Sequence, residues 1–157
     1  MAGSVPGKAF PEVILMINSQ RVLNDIIKTS QMGINGINVV MDKASEPALR
    51  QALKVQRREY SDIEQQAKLL AQRKGYRIDQ IKPITRRMGA MMSKGQLLVG
   101  DPNSKIAGMM IQGNTRGVIL GLKNMRRCND PDGQVAELAQ KLLDTEKNNI
   151  VSMEGFV

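Results

Sequence analysis

The chain has 157 residues, of which 41% are hydrophobic and 24% are charged, and it contains one cysteine and no histidine. This length is typical of a single domain, because a chain near 150 residues buries roughly 70% of the surface that it exposes when unfolded. The lack of histidine excludes Ser-His and Cys-His catalytic pairs and the commonest transition-metal ligand. The net charge of +8 predicts an acidic partner, either an acidic protein or nucleic acid bound without sequence specificity.

The sequence indicates neither export nor a membrane span. Cys128 cannot form an intramolecular disulfide, and no basic region precedes a long apolar stretch at the N-terminus. The longest near-continuous apolar stretches, at 13–17 and 106–111, are far shorter than the ~18 residues that a transmembrane helix requires. We therefore expect a soluble, cytoplasmic protein without a transmembrane segment.

Residues 1–19 are expected to form an N-terminal arm, flexible or loosely packed, and residues 20–157 a single helical domain. Within the domain, apolar residues recur every three or four positions in four stretches, which is the pattern of amphipathic helices. The predicted long helices cover about 20–43, 46–74, 104–127 and 132–154. Ser45 is a suitable N-cap for the second helix, which has Pro47 in its first turn, and Gly75 is a suitable C-cap.

The long connection between Gly75 and Ser104 decides the predicted topology. A short helix at about 83–98 is expected within it, beginning at Pro83. A connection of this length can return along the bundle, so the second and third long helices can run parallel. The predicted fold is all-α, a four-helix bundle with a short extra helix in the crossover. Gly113, Gly117 and Gly121 lie four apart on the third helix and predict close packing against a neighbour.

Several phrases of the sequence resemble a known group of proteins. They are SQMG at 30–33, EY at 59–60, SKIA at 104–107, GVI at 117–119 and EKNNI at 146–150. The chain resembles the ferritin-like superfamily and, more closely, small unassigned helical proteins of spore-forming and anaerobic Gram-positive bacteria. This resemblance implies a ferritin-like bundle, in which di-iron members carry one Glu on each of two helices and a Glu-x-x-His pair on each of the other two.

The positions that correspond to a di-iron site are expected to form a buried polar layer instead. Counting from the two short turns places these residues at one level of the bundle: Ser30, Gln56, Glu59, Gly113, Glu146 and Asn149. Only Glu59 and Glu146 are carboxylates, and a hard cation requires more oxygen ligands than that. We therefore expect hydrogen bonds that fix the helix register, with no catalytic residue, no metal and no cofactor.

The positive charge is concentrated in one segment. Residues 54–94 contain eleven basic and four acidic residues, a net charge of +7. Such a segment can be a solvated face or a binding surface for anions. The candidates for anion binding are Arg73, Lys74, Arg77, Lys82, Arg86 and Arg87.

These features favour a non-catalytic helical scaffold or interaction protein that forms homo-oligomers, more plausibly than an enzyme. Two alternatives remain open at this point. The first is a metal-binding or oxidoreductase-type ferritin relative that uses Glu59 and Glu146. The second is non-specific binding of nucleic acid or another acidic surface through residues 54–94.

Overall fold

The fold is known from a computed structural model that describes residues 6–79, 100–129 and 133–157, and within these ranges all regular structure is α-helical. The four helices are α1 (Pro6–Met41), α2 (Pro47–Lys74), α3 (Pro102–Arg127) and α4 (Gln134–Glu154). They form the predicted four-helix bundle. The short helix predicted at 83–98 lies outside the described residues.

The ends of α2 and α3 follow from local capping chemistry. Pro47 occupies the first turn of α2, as predicted, but the N-cap position belongs to Glu46, so the prediction of Ser45 as the N-cap is wrong. Gly75 ends α2 with a φ of 69°, a backbone conformation that glycine adopts without strain. Asp101 caps α3 by accepting a hydrogen bond from the backbone N–H of Asn103 at 3.0 Å.

Hydrogen bonds at the two ends of the bundle show which way the helices run. In the first turn of α3, Asn103 Oδ1 accepts from the backbone N–H of Ser45 in the α1–α2 connection, and Asn103 Nδ2 donates to Ser45 Oγ. At the other end, just after α2, the backbone N–H of Asp79 donates to Asn24 Oδ1 at 2.7 Å. The end of α2 and the start of α3 therefore lie at opposite ends of the bundle, and the two helices run parallel, as predicted.

The apolar core lies between the four helices and follows the predicted stripes. α1 packs against α2, α3 packs against α4, and α2 also packs against α4. Each helix contributes fully or almost fully buried side chains, for example Leu23 and Ile37 from α1, Leu53 and Ile63 from α2, Ile106 from α3, and Val135 and Met153 from α4. Burial of this apolar surface is the main free energy that holds the bundle together.

The largest difference from the sequence-based prediction is the start of α1. The helix begins at Pro6 and not near residue 20, so residues 6–19 of the predicted N-terminal arm are helical and continuous with α1. The first buried side chain of α1 in the described part is Ser19. Residues 11–18, none of which is buried, therefore extend beyond the bundle core by about 12 Å, at 1.5 Å per residue. Among the residues that the structure describes, no helix is both long and apolar enough to cross a bilayer.

Candidate functional site: a buried polar cluster and a basic end

Four of the six residues predicted for the polar layer lie inside the bundle. Ser30, Gln56, Glu146 and Asn149 are at most 3% exposed. Glu59 is exposed on α2, and the next residue, Tyr60, points into the core in its place. Successive helical residues differ by 100° in direction, so a change of one position moves a side chain from the interior to the surface.

The same displacement by one residue occurs on α3. Gly113 is exposed, and a Cβ atom added to it would meet no atom within 4 Å. The next residue, Asn114, is 2% exposed and faces the core. The stripe of α3 that contains Gly113 and the one that contains Asn114 both have steps of three and four residues. The sequence pattern fits both stripes, which is why the prediction of Gly113 was wrong.

The predicted single layer is also divided along the bundle axis. A Cβ atom on Gly33 would lie 2.5 Å from Tyr60, so these two residues are at one level. Ser30 lies one turn from Gly33 in the direction away from the α1–α2 connection. Gln56 lies one turn from Tyr60 in the direction toward that connection. Ser30 and Gln56 are therefore about seven residues apart in level, or about 10 Å.

The geometry of the α1–α2 connection explains this error of register. Arg50, in the first turn of α2, donates to the carbonyl oxygens of Met41 and Ala44, both at 3.1 Å. The first turn of α2 therefore lies beside the connection, beyond the last turn of α1. A count that starts from the middle of the connection places every residue of α2 too far from the turn, relative to its neighbour on α1.

The centre of the bundle contains a connected polar cluster, which we call the Tyr60 cluster: Tyr60, Asn114, Glu146 and Asn149. The Tyr60 hydroxyl lies 2.8 Å from Asn114 Oδ1 and 2.9 Å from Glu146 Oε2, and it also interacts with the side chain of Asn149. One hydroxyl proton can serve only one of the two acceptors. If the Asn114 amide is turned over, its Nδ2 donates to the Tyr60 oxygen while Tyr60 donates to Glu146, and the Asn114 Nδ2 is no longer without a partner.

Glycines make the space that Tyr60 and Glu146 occupy. A Cβ atom on Gly33 would lie 2.5 Å from the Tyr60 ring, and one on Gly117 would lie 2.5 Å from Glu146 Oε1. A Cβ atom on Gly121 would lie 3.1 Å from Leu143 Cδ1. The predicted close packing along the glycines of α3 is therefore found at Gly117 and Gly121, but not at Gly113.

Burial controls the ionisation of the cluster. Loss of hydration raises the pKa of Glu146 from 4.5 to about 7, while the hydrogen bond from Tyr60 acts in the opposite direction. Loss of hydration, followed by the proximity of Glu146, raises the pKa of Tyr60 far above its ordinary value. The cluster thus contains an acid that titrates near neutral pH although its side chain is 2% exposed.

The donor set of the cluster does not fit the di-iron centre of ferritin-like proteins. Glu146 is its sole carboxylate, and the positions around it carry a phenol and two amides. Glu59, the second predicted carboxylate, is on the surface. In the described part of the chain, no group of three or more His, Cys, Asp or Glu side chains is placed to hold a metal ion. Ser30 Oγ and both polar atoms of the Gln56 amide are buried and have no partner in these ranges, which is the usual setting of an internal water molecule.

A second candidate site lies where α2 and α3 end. Because these helices are parallel, the basic residues in their last turns, Arg73 and Lys74 on α2 and Arg126 and Arg127 on α3, lie at the same end of the bundle. Arg77 follows α2, and its backbone N–H donates to Gln20 Oε1 on α1 at 3.1 Å. We call this surface the basic end, and it consists of Arg21, Arg73, Lys74, Arg77, Arg126 and Arg127.

Two of these arginines lie close enough to Asp25 to affect the pKa of its carboxyl group. Burial raises the pKa of Asp25, while Lys28, Arg127 and Arg21 lower it, together with a hydrogen bond from Asn124. Arg21 on α1 and Arg127 on α3 therefore act on the same half-buried carboxyl. The charge pattern does not predict Arg126 and Arg127, because residues 95–157, which contain them, have seven basic and seven acidic residues and no net charge.

Three of the six predicted anion-binding residues, Arg73, Lys74 and Arg77, belong to the basic end. The other three, Lys82, Arg86 and Arg87, lie outside the described residues. Among the described residues, the acidic residues at the same end are Asp25, Asp79 and Glu137, which the basic residues outnumber.

Comparisons with known proteins support the fold alone. No family model and no curated protein sequence matches the chain. A solved structure described as a DUF305 fragment from Deinococcus radiodurans is similar, with a TM-score of 0.70 and 16% sequence identity. The similarity covers 88% of this chain and 93% of that fragment. The four-helix architecture is thus found in a solved protein, and the ferritin-like resemblance stays a prediction.

Proposed function

We propose that the protein is a non-catalytic interaction protein that binds acidic surfaces through the basic end. The observation that carries this proposal is the shared location of six basic residues. They come from three separate parts of the chain: α1, the end of α2 with the residues that follow it, and the end of α3. Basic residues in the last turn of a helix also stabilise the helix dipole. Arg21 and Arg77 are not in such turns, so helix stabilisation does not account for the whole group.

The proposal gives the Tyr60 cluster a structural role. Its hydrogen bonds join α2, α3 and α4, and Gly33 and Gly117 leave the space that Tyr60 and Glu146 fill. A buried, connected polar group of this kind fixes the register of the helices. The cluster thereby holds α2 and α3 at the heights that bring their basic last turns to one end. The sequence-based expectation of a homo-oligomer remains a prediction, to be measured by sedimentation velocity.

Binding of an immobilised polyanion tests the proposed function. We expect the protein to bind heparin and to elute at a salt concentration that falls when Arg73→Glu and Arg126→Glu are combined, because each phosphate-like contact releases bound counterions. The matched control combines Lys54→Glu and Arg58→Glu, two exposed basic residues on the other half of α2 with the same change in net charge. Equal losses in the two variants would refute a specific basic end. Circular dichroism of both variants shows that the bundle is retained.

A further inference from the structure

Residues 13–17 of α1, which extend beyond the bundle core and follow the exposed Glu12, are apolar on all sides. Val13, Ile14, Met16 and Ile17 are 46% to 51% exposed, and Leu15 lies between them. Five consecutive residues at 100° each cover more than the full circumference of a helix. A helix that is apolar all round is ordinarily buried on all sides.

This distribution limits what can cover the extension. A second helix or a groove in a protein contacts one stripe, with a repeat of three and four residues, and leaves the remaining apolar side chains in water. The acyl chains of a bilayer surround an inserted segment and cover every direction. The apolar residues of 13–17 therefore fit a lipid environment better than a one-sided protein contact.

The basic end lies at the base of the same extension. Arg21 is one turn after Ile17 on α1, and the backbone of Arg77 is bonded to Gln20 in the same turn. Arg73, Arg126 and Arg127 are exposed at this end of the bundle. Cations placed beside an inserted apolar segment meet the phosphate groups of anionic lipids, and each adds to the affinity for the surface.

From this juxtaposition we infer that the protein binds the surface of an anionic lipid bilayer, with residues 13–17 of α1 inserted among the lipid chains and the basic end against the phosphates. This inference rests on the proposed function, of which it names the acidic surface. Charge attracts the protein to the bilayer, and the apolar segment adds the preference for a bilayer over other polyanions.

Sedimentation with vesicles tests the inference. The wild-type protein is expected to bind vesicles that contain phosphatidylglycerol in phosphatidylcholine, and to bind pure phosphatidylcholine at least about tenfold more weakly. The variant Ile14→Ser/Ile17→Ser is expected to lose roughly tenfold or more in affinity for the anionic vesicles, with its elution from heparin unchanged. The matched control is Val55→Ser/Val151→Ser, two exposed apolar residues far from the basic end, and it is expected to bind as the wild type does.

The combination of vesicles and heparin separates the two proposals. If Ile14→Ser/Ile17→Ser binds anionic vesicles as tightly as the wild type, the bilayer inference is wrong, whereas the binding of acidic surfaces stands as long as the heparin result holds. If the wild-type protein sediments as an oligomer without lipid and this variant as a monomer, a second copy covers the extension and the inference is also wrong. If Arg73→Glu/Arg126→Glu behaves as its control does on heparin, the proposed function itself fails.

Discussion

The buried carboxyl of Glu146 makes the stability of the bundle depend on pH in a direction that can be calculated. Its pKa is about 7 in the folded protein and 4.5 without burial. Between these two values the unfolded chain ionises Glu146 and the folded protein does not, so a rise in pH favours unfolding. Below pH 4.5 both states are protonated, and above pH 7 both are ionised, so the contribution of Glu146 is constant outside this window.

The magnitude follows from the width of the window. Each pH unit in which only the unfolded state is ionised lowers the free energy of unfolding by about 1.4 kcal/mol. The full contribution of Glu146 between pH 4.5 and about 7 is therefore about 3 kcal/mol. Glu146→Gln cannot ionise and keeps an oxygen that accepts the hydrogen bond from Tyr60, so this contribution disappears in the variant.

Urea unfolding, followed by circular dichroism across the same pH range, measures the effect. The difference in free energy of unfolding between Glu146→Gln and the wild type is expected to grow by about 3 kcal/mol in favour of the variant as the pH rises. Taking the difference removes the contribution of Asp25, whose pKa is also raised. Parallel curves for the two proteins would refute the assignment of a buried, neutral Glu146.

Three further substitutions test the packing of the interior, each by urea unfolding. Tyr60→Phe removes the hydroxyl that donates a hydrogen bond to Glu146 and is expected to lower the free energy of unfolding by about 1–3 kcal/mol. An unchanged free energy of unfolding would show that this hydrogen bond does not stabilise the fold. Gly117→Ala places a methyl group against the Glu146 carboxyl and is expected to lower the free energy of unfolding by about 1–3 kcal/mol. Gly113→Ala is expected to raise it by about 0.5–1 kcal/mol, because that site is open and helical. The reverse order of stability would contradict the register of α3. Asn103→Ala removes the bonds that join α3 to the α1–α2 connection, and a loss of about 1–2 kcal/mol is expected, while no loss would indicate that these bonds are replaced by water.

The helices and their order could be predicted because each carries a long apolar stripe, and the parallel crossover followed from the length of one connection. The start of α1 could not be predicted in the same way. Residues 13–17 are apolar without a period, so they have no helical signature, and Pro6 and Pro11 suggested a break. In the structure Pro6 begins the helix, where a missing N–H has no consequence, and Pro11 lies within it.

The candidate site was predicted in part for a similar reason. Gln56 and Glu146 were found because they interrupt apolar stripes, and interruption is visible in the sequence. The exchange of Gly113 for Asn114 depends on a rotation of one residue, which the pattern of a single helix leaves open. Glu59 was expected from the Glu-x-x-His spacing of the resemblance, whereas the apolar stripe of α2 contains Tyr60. The level of each residue depends on how α2 begins beside the connection, and that geometry is a tertiary feature held by Arg50.

The basic end was found incompletely because charge was counted along the chain and not in space. The positive charges of Arg126 and Arg127 are offset by nearby acidic residues when net charge is summed along the sequence. In the structure these two arginines lie at the same end of the bundle as Arg73. The parallel arrangement of α2 and α3 is needed to see that Arg73 and Lys74 lie at the same end of the bundle as Arg126 and Arg127. The function proposed for this surface therefore depends on the topology as much as on the composition.

The most direct test of the proposed function is a map of the amide resonances that move when a short heparin fragment is added to the isotopically labelled protein. The account predicts that the largest shifts cluster at Arg21, at 73–77 and at 126–127, and that they weaken as salt is added. Shifts centred on Lys54 and Arg58, or distributed evenly over the surface, would contradict it.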